Sequence, residues 1–98
     1  MKVVVGMTAS GFNRFLKKNG LKPVPAEKLA DLVYRQIKAY ERRDRRETKK
    51  IVKELLQMVG FKVDKTEESL RTYFEILSNF GRLCDTVRTT LKIIEGGE

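Results

Sequence analysis

The side chains best placed to do chemistry in this chain are cations crowded into one stretch. Between Arg35 and Lys53 lie Arg35, Lys38, Arg42, Arg43, Arg45, Arg46, Lys49, Lys50 and Lys53, nine basic residues against three acidic ones, for a local net charge of +6. Residues 1–24 add five basic groups and no acid, whereas residues 54–98 carry six basic and eight acidic side chains. The whole chain stands at +8 without a histidine. A charge so distributed selects polyanions, with nucleic acid first and an acidic membrane surface or acidic protein second. Spacing sharpens the point. Arg46, Lys49, Lys50, Lys53 and Gln57 recur at i, i+3, i+4, i+7 and i+11, one stripe of a helix, opposite its apolar positions. Like charges at that spacing repel by a few tenths of a kcal/mol per pair. Cations at a helix start, as at Arg45 and Arg46, also oppose the helix dipole. A bound phosphate relieves both penalties, since exposed N–H groups at a helix N-terminus attract anions. The competing use of these charges is pairing of Arg35, Lys38 and Lys53 with Glu41 and Glu54. Contacts that stop at phosphates read no base sequence. Tyr34 and Tyr40 flank the run, and their helical spacing assigns them to the core or its edge rather than to base stacking.

The same inventory argues against catalysis. Without histidine the usual acid–base group near neutral pH is missing, and so is every His-containing metal site. One cysteine, Cys84, builds neither a Cys-rich zinc site nor an internal disulfide. No GxxxxGK[ST] phosphate loop occurs, and Glu67–Glu68 are neighbours pointing in different directions, better suited to a helix start than to an acid–base pair. The sequence therefore predicts a non-enzyme with no catalytic residues, no metal and no cofactor. The apolar run Val3–Val5 is too short for a signal peptide, and nothing approaches a membrane span, so the expected location is cytoplasmic. Asn and Gln number five while 35% of residues are charged, a composition that points to a heat-adapted source.

Elements that position these groups follow from periodicity and punctuation in 98 residues, a length suited to one domain spanning 1–98. Three valines make Met1–Gly6 a candidate strand. Thr8 or Ser10 caps a first helix to about Asn19, with Gly20 ending it and Phe12, Phe15 and Leu16 on its apolar face. Pro23 and Pro25 bracket an extended connector. A second helix opens at Pro25 or Ala26 and runs to about Arg43 with a stripe of Leu29, Leu32, Val33, Ile37 and Tyr40. Asp44, three residues ahead of Glu47, has capping-box spacing and breaks the chain into a third helix. That helix buries Ile51, Val52, Leu55, Leu56 and Val59 and stops at Gly60. A cap near Asp64 or Thr66 starts a fourth, with Leu70, Tyr73, Phe74, Leu77 and Phe80 before Gly81.

From about Glu47 to Ile94 the order of Ile51-Val52-Lys53-Glu54-Leu55-Leu56, Gly60-Phe61, Ser69 to Leu77, and Phe80-Gly81-Arg82-Leu83 resembles the winged-helix, helix-turn-helix DNA-binding superfamily. The resemblance implies a mainly α fold of three to four helices with a small C-terminal β-hairpin, and DNA as partner ahead of RNA. The helix that would enter the major groove, Thr66 to Phe80, has three acids and one basic residue. Its charge suits phosphates poorly, so the nucleic acid is expected at the basic helix pair instead.

Residues 83–93 alternate as a strand would, with Leu83, Val87, Leu91 and Ile93 on one face, which supports the hairpin. The alternative is all-α: Leu70, Tyr73, Leu77, Phe80, Cys84, Val87, Leu91 and Ile94 fill the a and d positions of four heptads, giving one long helix that forms a homodimer seam or docks on a larger protein complex. Gly81 and the β-branched Thr86, Val87, Thr89, Thr90, Ile93 and Ile94 weigh against it.

Overall fold

Side-chain caps open three of the helices described, the helix after Pro25 opens without one, and residues in or near the left-handed region end the first three. The computed structural model describes residues 6–96 and contains four α-helices among them: α1 (Ala9–Lys18), α2 (Ala26–Arg42), α3 (Arg45–Val59) and α4 (Glu67–Gly96). The strand expected over Met1–Gly6 falls on residues 1–5, outside the described residues.

Thr8 caps α1 by accepting a hydrogen bond from the Gly11 amide at 3.0 Å, and Gly20, with φ +71°, turns the chain out of the helix. The proline-bracketed connector is held by one side chain. Asn13 donates from Nδ2 to the Val24 carbonyl at 3.0 Å and accepts from the Val24 amide at 2.8 Å, which buries Val24 against the core. Gly60, with φ +74°, ends α3. At the start of α4, Thr66 Oγ1 accepts from the Ser69 amide at 3.1 Å while Ser69 Oγ accepts from the Asp64 amide at 2.9 Å. Asp64 accepts in turn from the Thr66 amide and hydroxyl, at 2.8 and 2.6 Å, and these bonds hold its carboxyl below the usual range.

Packing gathers Phe12 and Leu16 of α1, Leu29, Leu32, Val33 and Ile37 of α2, Ile51, Leu55 and Val59 of α3, and Ile76, Phe80, Leu83 and Cys84 of α4 into one core. Here α2 lies against both α3 and α4, and α1 crosses α4 with the Phe12 and Phe80 rings 6.1 Å apart. A 30-residue helix spans about 45 Å, close to the longest dimension of the molecule, 46 Å, so α4 is the rod on which the others are mounted.

The structure corrects three expectations. First, no strand occurs among the described residues, and the hairpin expected after Gly81 is helix: α4 passes through Gly81 without a break. The β-branched residues that favoured a hairpin are accommodated by back-bonding, with the Thr86 hydroxyl donating to the Arg82 carbonyl and the Thr90 hydroxyl to the Thr86 carbonyl, both at 2.8 Å. The long C-terminal helix of the all-α alternative is what forms. Second, its heptad positions are not one seam. The core takes Ile76, Phe80, Leu83 and Cys84, leaving Leu70, Leu91 and Ile94 exposed. Third, Tyr40 is not core: it is 66% exposed while Ala39 beside it is buried. Successive residues of a helix point about 100° apart, so with Ala39 turned into the core Tyr40 faces outward beside Arg88.

Candidate nucleic-acid interface

Two residues join α2 to α3, and both are functionalised. Arg43 ends α2 in the left-handed region (φ 56°, ψ 40°), and it is the one non-glycine residue among those described with positive φ. The Asp44 amide then returns to the Ala39 carbonyl at 2.8 Å, and the Asp44 carboxylate accepts from the Glu47 amide at 3.1 Å to cap α3. The reciprocal half of a capping box is absent, because Glu47 turns to Arg35 instead. This hinge bends the chain and brings Arg43 of the junction and Arg45 and Lys49 of α3 to one concave surface, which Arg42, Arg46, Lys50 and Lys53 do not line.

The nine residues expected to bind nucleic acid separate into two groups. Arg35 is neutralised. Its guanidinium makes a fork with Glu54 (Nη1 to Oε1 2.9 Å, Nη2 to Oε2 2.7 Å) and reaches Glu47 and Asp31 at 3.3 Å each. The Glu54 bonds hold Arg35 permanently charged and hold the Glu54 carboxyl below its ordinary value. Arg35 is thus an α2–α3 tie rather than a free phosphate ligand. Lys38 is partly engaged, 3.6 Å from Glu41 and 5.5 Å from the centre of the Tyr34 ring. The remaining seven, Arg42, Arg43, Arg45, Arg46, Lys49, Lys50 and Lys53, are all exposed, and none has a carboxylate within salt-bridge distance among the described residues.

A contribution from the far end of the chain completes the arrangement. An open cleft of about 800 Å³ lies between the hinge and the last third of α4, lined by Tyr40, Arg43, Asp44, Arg45, Thr48 and Lys49 on one side and by Arg88 and Lys92 on the other. The Arg88 guanidinium sits 5.2 Å from the Tyr40 ring centre and 3.7 Å from Asp85. Gln36 also lines the cleft, and its Oε1 is buried without a hydrogen-bond partner. The two carboxylates of the lining are already engaged, Glu41 with Lys38 and Asp44 with the α3 backbone. The cleft is therefore cationic, with one aromatic wall.

Sequence reasoning missed Arg88 and Lys92 because a separate hairpin over residues 83–93 gave no reason to set them opposite the basic helix pair. Read as helix, the two lie at i and i+4, on one face, and that spacing was the available signal. It also misplaced Tyr40, whose position at the cleft follows from its exposure.

Other groups offer less chemistry. Burial, with a smaller effect of Asp85, pushes the Cys84 thiol up to about 12, so it stays a neutral core side chain near neutral pH. Among the described residues no three His, Cys, Asp or Glu side chains are grouped to hold a metal, and no helix is long and apolar enough to cross a membrane. The chain matches no protein-family model, no curated protein and no solved structure.

Proposed function

We propose that this chain is a non-catalytic, cytoplasmic nucleic-acid-binding protein, DNA before RNA, of the small transcription- or chromatin-factor kind, which grips phosphates with the α2–α3 hinge. The observation that carries this reading is the set of seven exposed cations on one hinge without carboxylate partners. A folded domain gains nothing in stability from such crowding, since the charges repel and two of them stand at the α3 N-terminus against its dipole. Phosphates reverse the sign of both effects.

The test is a titration with duplex DNA and with structured RNA at two salt concentrations. Affinity falls steeply with salt, with a slope that reflects roughly four to six neutralised phosphates. Replacing Arg45, Arg46, Lys49, Lys50 and Lys53 by Gln removes most of the affinity and leaves the helical fold intact. Absence of binding to either nucleic acid at low salt overturns the reading.

A second reading has one observation in its favour. Phe74, 62% exposed, stands with exposed Val63 and Leu70 near the start of α4. Apolar groups so placed suit a protein partner, either a second copy of the chain or a larger nucleic-acid-processing complex. Concentration-dependent mass that Phe74→Ser abolishes is the expected sign of a homodimer.

A further inference from the structure

Phosphate attraction explains the outer stripe of α3 but not the cleft beside it, where cations share a concave surface with an aromatic ring and an unsatisfied amide. We infer that this cleft receives one unpaired nucleotide, so that the protein prefers single-stranded or looped nucleic acid over duplex. The inference rests on the nucleic-acid reading above and adds the form of nucleic acid to it.

Four observations meet at the same place. The open cleft, at about 800 Å³, falls within the roughly 300–1,000 Å³ of small-ligand sites, which is ample for one nucleotide. Its wall is the Tyr40–Arg88 pair, 5.2 Å apart and belonging to helices 48 positions distant in sequence. Aromatic rings and guanidinium planes are the two surfaces on which unpaired bases stack. Tyr40 is two-thirds exposed, an arrangement that leaves ring surface open to a partner. Gln36, one turn earlier on α2, also lines the cleft, and its Oε1 has no protein partner among the described residues. The polar edge of a base supplies donors and acceptors in one plane, the partner an amide is made to meet.

Phosphate positions follow from the rest of the lining. Arg45 and Lys49 reach the cleft from α3 and Lys92 from α4, so a nucleotide stacked on the wall has cations on both sides for its own phosphate and the next. Paired bases are stacked inside a duplex and reach the wall only after extrusion, which carries an unstacking cost. An unpaired strand carries no such cost.

The experiment compares three fluorescein-labelled 12-nucleotide DNA probes on the full chain by anisotropy: a single strand, the same strand annealed to its complement, and a strand whose central nucleotides are stable abasic residues. Phosphates alone favour the duplex, whose charge density is higher. The cleft predicts the opposite order, with the intact single strand bound about tenfold more tightly than the abasic strand, a typical effect of stacking one base, and by a smaller margin more tightly than the duplex. Tyr40→Ala removes that margin and leaves affinity for the abasic strand unchanged; because Tyr40 is exposed, its helical circular dichroism stays that of the parent. Gln36→Leu, which replaces the orphaned amide by an apolar group of similar size, reduces the margin without weakening abasic binding. Equal affinity for all three probes, or preference for the duplex, overturns the inference and leaves the nucleic-acid reading standing. Failure of every probe to bind at low salt overturns both.

Discussion

The two junctions that flank α3 solve one geometric problem with the same chemistry and differ in everything that surrounds it. At each, a left-handed residue ends one helix and a short polar side chain caps the next: Arg43 and Asp44 before α3, Gly60 and Thr66 before α4. The α3–α4 junction is closed, its Asp64, Thr66 and Ser69 bonded to one another. Around the α2–α3 junction the cations have no such partners, and the left-handed position holds an arginine where α1 and α3 use glycine. A left-handed conformation costs a non-glycine residue roughly 1–2 kcal/mol. Fold stability accounts for the closed junction and leaves both the charge and the arginine of the open one without a role. Strain and unpaired charge concentrated at one bend are the marks of a binding surface.

The largest expected difference is in charge. Replacing Arg45, Lys49 and Lys92 by Gln weakens binding of a single-stranded DNA probe roughly 100-fold at low salt and lowers the salt slope by about two. The control, Lys62→Gln with Lys65→Gln at the closed junction, changes affinity less than threefold. Comparable losses from the two sets of substitutions erase the distinction between the junctions.

Caps come next. Thr66→Ala and Asp44→Ala each cost about 1 kcal/mol of stability by chemical denaturation. Only Asp44→Ala tightens nucleic-acid binding, by a few-fold, because it removes an anion from the cleft. Their pH behaviour differs too. The Asp64 carboxyl is held low chiefly by Thr66, so its contribution to stability is complete above the ordinary carboxylate value of 3.8 and is lost as pH falls below that value toward the lowered one. Thr66→Ala removes the hydroxyl bond and keeps the amide one, and the acid limb of the stability curve becomes shallower below about pH 4.

Arg43→Gly separates stability from function at the open junction. Glycine accepts φ 56° without a Cβ clash, so the variant gains about 1 kcal/mol, while loss of one cleft cation weakens DNA binding a few-fold. A variant both more stable and equally tight in binding means that the arginine serves neither end.

These contrasts also show which parts of the architecture were legible in the residues. Caps were, because Asp44, Gly60 and Thr66 act within a turn of themselves and local rules suffice. The long-range placement was not. Residue 40 has the period of a core position, yet α2 turns Ala39 into the core and Tyr40 outward, and nothing local to Tyr40 records that choice. Arg35 looks like its eight basic neighbours in sequence; its pairing with Glu54 stood only as the competing use of these charges, and the bend at Asp44 brings that carboxylate, 19 residues away, against it. Of the nine expected ligands the charge pattern identified seven that remain free, and the strand-like alternation of residues 83–93 hid Arg88 and Lys92 on the opposite wall.

The smallest expected effect tests the rod that links the two junctions. Because α4 begins at the closed junction and lines the cleft of the open one with Arg88 and Lys92, the cleft exists only if the helix continues through Gly81. Gly81 is exposed, and a Cβ placed there meets nothing within 4 Å. Within a helix, alanine is favoured over glycine by about 0.5–1 kcal/mol, chiefly because the unfolded chain has less freedom to lose. Gly81→Ala is therefore expected to raise the melting temperature by about 2–8 °C, on the usual conversion for a domain of this size, and to leave DNA affinity within twofold. A hairpin opening at Gly81 predicts no gain, since strands disfavour alanine and a turn glycine there would be strained by a Cβ. The sign of one small shift thus decides whether Arg88 and Lys92 belong to the cleft, and a fall in melting temperature removes the wall on which the single-strand preference depends.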